Sequence, residues 1–163
     1  MNLFARIEAA LRLDRRPLSE LPNVTRVASA GMIAVVGSLV VDAVLVALGR
    51  AVFDPASSFG PFHFSSYAPL TVLGVVAATI GWGILVHLTS VPRWVLRRAA
   101  VVVTVALLIP DVAILPANPD GGVATLMVMH IAIAVITYAS LLRVAPARET
   151  RSVAVVEAPA FPA

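Results

Sequence analysis

Four nearly unbroken apolar runs are spaced along the chain. They cover residues 27–48, whose single charge is Asp42; 70–88; 99–115, which contains Pro110-Asp111; and 123–142, with His130 inside. A helix needs about 17–25 apolar residues to cross the hydrocarbon core of a bilayer. All four runs qualify, the third by the narrowest margin. Lipid offers no partner for backbone N–H and C=O groups, so each run is predicted to be a helix that satisfies its own. None alternates with the two-residue period of a membrane barrel. The first run is too long for a cleavable signal, whose apolar core spans about 7–15 residues, and it reads as an uncleaved anchor.

The segments between the runs have their own patterns. Phe4, Ile7 and Leu11 recur at helical spacing, while Arg6, Glu8, Arg12 and Arg15 take the other faces and Pro17 ends the stretch. Residues 1–26 therefore read as a basic segment with a short amphipathic helix lying on the membrane surface, or docked on a partner protein. The first connection holds Phe53, Phe59, Phe62, Phe64 and Tyr67, broken by Pro55, Gly60 and Pro61. Aromatic rings favour the headgroup zone, so this loop is expected to lie on the interface, with a lid or a docking surface as the sharper alternative. The third connection, residues 116–122, is a run of Pro, Asn, Asp and Gly that turns tightly and makes its two helices antiparallel neighbours. Residues 143–163 lack apolar periodicity and are expected to be a poorly ordered tail. The fold class is thus all-α: an antiparallel four-helix bundle spanning the membrane across residues 27–142, with a short interfacial helix before it.

Composition agrees. Hydrophobic residues make up 60% and charged residues only 13%, about half the usual share in soluble domains. The absence of cysteine excludes disulfides, thiolate metal sites and Cys nucleophiles. All twelve basic residues are arginine, and eleven of them fall before the first run, between the second and third, or after the fourth. Arg50 alone lies elsewhere. Positive residues stay on the cytoplasmic side, so both ends are expected in the cytoplasm. The arginines mark topology and lipid contact, and no nucleic acid is expected as a partner.

Two kinds of residue inside the runs are informative. Ala30, Ala34, Ser38 and Asp42 recur every four residues on the first helix, and Gly74, Ala78 and Gly81 share a face on the second. Small residues at this spacing let membrane helices approach closely, which suggests that the first two helices pack through these faces. The ionisable residues Asp42, Asp111 and His130 lie about 9, 6 and 10 Å from the outer ends of their runs, at about 1.5 Å per residue. An intramembrane carboxylate is expensive and needs a partner or a purpose. The three can hold the bundle together by hydrogen bonds, form an outward-facing proton or cation site, or meet another subunit or a lipid headgroup. A metal site would need a further ligand, for which His63 on the outer loop is the available histidine. Pro110 is expected to kink the third helix beside Asp111. His87, Trp82 and Trp94 read as interfacial anchors.

No nucleophile elbow, zinc-protease helix, phosphate loop or internal repeat is present. The stretch Val105-Ala-Leu-Leu-Ile-Pro-Asp-Val112, the short turn, and Ala124-Thr-Leu-Met-Val-Met-His-Ile131 resemble the second half of a group of small actinobacterial four-helix membrane proteins of unknown function. Gly37, Asp42 and Gly49-Arg50 on the first helix fit the same group, and the likeness covers Thr25 to Arg143. It implies a multi-pass protein of a bacterial plasma membrane and no particular activity. The expectation is a non-catalytic accessory subunit that binds the lipid bilayer and another membrane protein or its own copies, without a cofactor. The alternative is a small oligomeric proton- or cation-coupled carrier.

Overall fold

The computed structural model describes residues 21–53, 59–89, 91–117 and 121–147. The amphipathic stretch at residues 4–11 and the tail from residue 148 lie outside them. Four helices follow one another: α1 (Val24–Phe53), α2 (Phe64–Leu88), α3 (Pro92–Ile114) and α4 (Gly122–Val144). No strand occurs among the described residues. Each helix is long and apolar enough to cross a membrane, with mean hydropathy between 2.0 and 2.4. The chain is a multi-pass, all-α membrane protein.

Every helix is longer than its apolar run. Helix α1 starts at Val24, where the Asn23 side chain accepts a hydrogen bond from the Thr25 N–H at 2.8 Å, an N-cap that satisfies one orphan donor. It continues to Phe53. Helix α2 begins at Phe64 and carries Pro69 within it, at the cost of one backbone hydrogen bond. Helix α3 begins with Pro92, whose fixed φ suits a first turn. It therefore takes in Arg93, Arg97 and Arg98, which the sequence placed in a connection. Hydropathy marks where side chains meet hydrocarbon, whereas a helix continues into the headgroup zone wherever long basic side chains can reach water. Helix α3 also runs through Pro110 to Ile114. Before α4, Gly121 holds φ at +78°, a left-handed conformation that favours glycine.

Helix α1 packs most extensively on α4 and next on α2, and α3 leans on α4. Helices α2 and α3 meet much less, although a three-residue connection joins them. The order around the bundle is α2, α1, α4, α3, with a loose seam between the last and the first. Two apolar cores close the bundle. One, at the end bearing most of the arginines, gathers Ala30, Trp82, Val86, Leu96, Leu141 and Ala145. The other gathers Val46, Phe59, Phe62, Val123, Leu126 and Met129. Between and around them large apolar side chains such as Met32, Leu73, Val102 and Val135 stay exposed, as a lipid solvent allows.

Both cores contain residues that the sequence placed at the interface. Trp82 is fully buried, and its indole N–H donates to the Ala145 carbonyl at 3.0 Å. Phe59 and Phe62 meet edge to face at 5.0 Å and plug the far end of the bundle. The loop is drawn inward there because Arg50 donates to the Phe62 carbonyl at 3.0 Å. Phe64 remains exposed. Residues 145 and 147 are buried against the arginine-end core, so the chain stays packed for a few residues beyond α4.

Candidate functional site

Ala30, Ala34, Ser38 and Asp42 form a fully buried stripe along α1. The small residues do what small residues do in membranes: they let α1 lie close to its neighbours. The close approach to α2 falls one position along, where a Cβ on Gly31 would come within 2.8 Å of the Thr79 side chain. On α2 the buried positions are Ala68, Thr71, Val75, Trp82 and Val86. Gly74, Ala78 and Gly81 face elsewhere, and nothing stands within 4 Å of a Cβ built on Gly74 or Gly81. The α1–α2 contact therefore uses the small face of α1 and a bulkier face of α2.

The two carboxylates each join a pair of consecutive helices. Asp42 on α1 is fully buried, and its Oδ2 accepts a hydrogen bond from the Thr71 hydroxyl of α2 at 2.8 Å. Asp111 on α3 accepts from the His130 ring of α4, with Nδ1 and Oδ2 at 2.9 Å. His130 and Tyr67 both lie within electrostatic reach of Asp42, so the three predicted residues share one polar neighbourhood. Helix α1 runs on to Phe53, beyond the end of its apolar run, so Asp42 lies about 16 Å from the helix end at 1.5 Å per residue. Among the described residues three buried oxygens lack a hydrogen-bond partner: Ser38 Oγ, Asp42 Oδ1 and Thr137 Oγ1. An unpaired buried polar atom is costly, so each is a place where a proton, water or ligand atom would be stabilised.

His63 occupies the N-cap position of α2, makes no side-chain capping bond and is exposed. Among the described residues no three of His, Asp and Glu converge in a way that could hold a metal ion. Thr71 was not singled out from the sequence, and Tyr67 was read only as an aromatic of the first connection. A lone hydroxyl in an apolar helix carries no signal of its own, and Thr71 is 29 residues from Asp42.

The loose seam between α2 and α3 is a further feature. Between α2 and α3, floored by α4, lies a half-open groove of about 980 Å³. Gly74, Ala77, Ala78 and Gly81 form its α2 wall, and Ala99, Ala100 and Val103 contribute to the α3 wall. These small residues leave room between bulkier neighbours on the same walls, such as Leu70 and Leu73 on α2 and Leu96 and Leu107 on α3. Asp111 and His130 line the groove toward one end, and Leu85 and Leu96 toward the other. It extends along most of the transmembrane length and is lined almost wholly by apolar side chains. The polar neighbourhood thus opens into an apolar channel in the bundle's flank.

No protein-family model, curated protein or solved structure matches the chain. Its function is to be read from its own residues.

Proposed function

We propose that this chain is a non-catalytic accessory protein of a bacterial plasma membrane, with both termini in the cytoplasm, that engages another membrane component through the seam between α2 and α3. The single observation that carries this is the groove. Three sides of the bundle are closed by packed helices, and on the fourth α2 and α3 meet little, with Gly74, Ala77, Gly81 and Ala100 among the residues that line the gap. Small residues left unfilled on a membrane helix mark a place where something else packs. The orientation rests on Arg26, Arg93, Arg97, Arg98 and Arg143 gathering at one end of the bundle, with Arg50 at the other. The likeness to the actinobacterial four-helix group is compatible with this role.

The test is site-specific photocrosslinking in intact membranes. A photoreactive residue at Ala100, inside the groove, should give one discrete adduct. The same residue at Val102, which faces away and is exposed, should give only diffuse labelling. Indistinguishable labelling from the two positions would remove the seam as a point of engagement.

A second reading has its own observation in support. The Asp111–His130 pair lines the groove, and a carboxylate with an imidazole is the combination that exchanges protons. Under a carrier reading, Asp111→Asn in sealed proteoliposomes would abolish proton-coupled flux while leaving the protein folded. Four helices are few for a carrier, so that function would require assembly of several copies.

A further inference from the structure

The buried oxygens without a partner stand close together in the bundle. Ser38 and Asp42 lie one turn apart on the fully buried stripe of α1, about 6 Å along its axis at 1.5 Å per residue. A Cβ on Gly37 would meet the Ile136 side chain at 3.3 Å. The next residue on each helix, Ser38 and Thr137, therefore falls within about 3 Å of one level of the antiparallel α1–α4 pair. Thr71 brings in α2: its hydroxyl donates to Asp42 Oδ2 at 2.8 Å and keeps its own lone pairs. Ser38 Oγ, Asp42 Oδ1, Thr71 Oγ1 and Thr137 Oγ1 thus come from three helices within one turn of depth. All four residues are more than nine-tenths buried.

The charges around this cluster do not cancel. Besides Asp42, the ionisable side chains of the neighbourhood are Tyr67 on α2, Asp111 on α3 and His130 on α4. His130 serves Asp111, with Nδ1 and Oδ2 at 2.9 Å, and even as imidazolium it balances only one of two carboxylates. Arg50 lies about two turns beyond Asp42 on α1 and gives its guanidinium to the Phe62 carbonyl. A water molecule would satisfy the free oxygens and leave the charge. A cation would answer both needs. One uncompensated negative charge matches a single positive one, whereas a divalent ion would bring a surplus into hydrocarbon. The donors are one carboxylate and three hydroxyls, hard oxygen ligands without the imidazole or thiolate that transition metals favour. The small-residue stripe holds the helices close at this depth, which suits the smaller of the common alkali ions.

We infer that Ser38, Asp42, Thr71 and Thr137 bind a dehydrated sodium ion that clamps α1, α2 and α4 together near the middle of α1. The site is independent of what the seam engages, although Thr71 and Thr137 also line the groove, so the ion borders it. Asp111 and His130 are neighbours of the site and not its ligands.

Equilibrium binding of radiolabelled sodium to the full chain in mild detergent tests this. The expected result is saturable binding of one ion per chain, displaced by sodium chloride and not by equal potassium or choline chloride. The midpoint of thermal unfolding should rise with sodium alone at constant ionic strength, because a ligand held only by the folded state stabilises it. D42N should abolish binding, and S38A and T137V should each weaken it by about ten-fold or more, the effect of losing one contact to a charge. S38A merely continues the alanine stripe, so it keeps the test valid if D42N does not fold, as judged by circular dichroism and gel filtration. T125V removes a hydroxyl elsewhere on α4, one that bonds the Gly121 carbonyl, and should leave sodium affinity unchanged. Sodium should also protect Asp42 from labelling by a hydrophobic carbodiimide. No saturable binding by the folded unmodified chain, equal displacement by potassium, or unchanged affinity in folded S38A and T137V would overturn the inference. Carbodiimide labelling that sodium does not slow would overturn it too, by showing that Asp42 holds a proton in place of the ion. Loss of the Ala100 crosslink would remove the seam's role and leave this site standing.

Discussion

The indole N–H of Trp82 donates to the carbonyl of Ala145, the first residue after α4, and the two atoms are 3.0 Å apart. This bond ties the end of α2 to the end of α4 at the arginine-rich face, where α1 begins and α3 starts. A carbonyl in the last turn of a helix or just past it has no partner within the helix. Trp82 supplies one from a neighbouring helix while filling the core beneath it.

Replacing Trp82 with Phe removes that donor and leaves the Ala145 carbonyl to find another. The expected cost is about 1–3 kcal/mol. It should appear as a lower midpoint of thermal unfolding in mild detergent, followed by circular dichroism. Trp94→Phe serves as the comparison, because Trp94 contributes a stacking contact with Arg98 near the surface, worth about 0.5–1 kcal/mol. Equal shifts in the two variants would mean that the hydrogen bond contributes little.

The paired carboxylates give a sharper test of connectivity. A double-mutant cycle on Asp111 and His130, each changed to Ala, should show coupling of about 0.6 kcal/mol and at most about 1.7 kcal/mol, the range measured for interhelical hydrogen bonds in membranes. A cycle on Asp42→Ala and Thr71→Val should give coupling of similar size, reflecting the 2.8 Å bond between them. The crossed pair, Thr71 with Asp111, shares no hydrogen bond and should be close to additive. Strong coupling in the crossed pair would contradict the partner assignment.

Two glycines should respond in opposite ways to the same change. At Gly31 an added methyl meets Thr79 Cγ2 at 2.8 Å and Oγ1 at 2.9 Å. That hydroxyl is itself held by the Val75 carbonyl at 2.8 Å. Gly31→Ala should therefore destabilise by about 1–3 kcal/mol through overpacking, and Thr79→Ala should recover part of the loss. At Gly74 the methyl meets nothing within 4 Å. Gly74→Ala should be neutral or stabilising by up to about 1 kcal/mol from helix propensity. A larger loss at Gly74 than at Gly31, measured by unfolding in detergent, would place the α1–α2 contact on the wrong face.

Much of this was legible from residue order. Asp42 and the Ala30, Ala34, Ser38 stripe were visible because polar and small residues stand out in a run of Val, Leu and Ile. The placement of Asp111 and His130 near one end of their helices followed from counting along each helix from its turn. The bond between them also depended on how α3 leans on α4, which counting does not give. The inward turn of Phe59 and Phe62 was not legible either. An aromatic ring suits a membrane interface and a bundle core alike. What drew these rings inward was the Arg50 hydrogen bond to a loop carbonyl and the space at the end of α1 and α4.

Residue order was sufficient for the number of helices able to cross a membrane and for the apolar stretches at their centres. Both depend on the transfer of whole segments from water to lipid, an effect summed over about twenty residues that no single contact reverses. Packing alone settled which face of each helix turns inward. In water an amphipathic stripe announces the buried side. In lipid, Val75 in the interior and Val76 on the outside are chemically identical, and the choice between them falls to the fit of neighbouring side chains. Gly74 and Gly81 resembled a contact and instead line an open groove, because a gap between helices exists only once all four are in place.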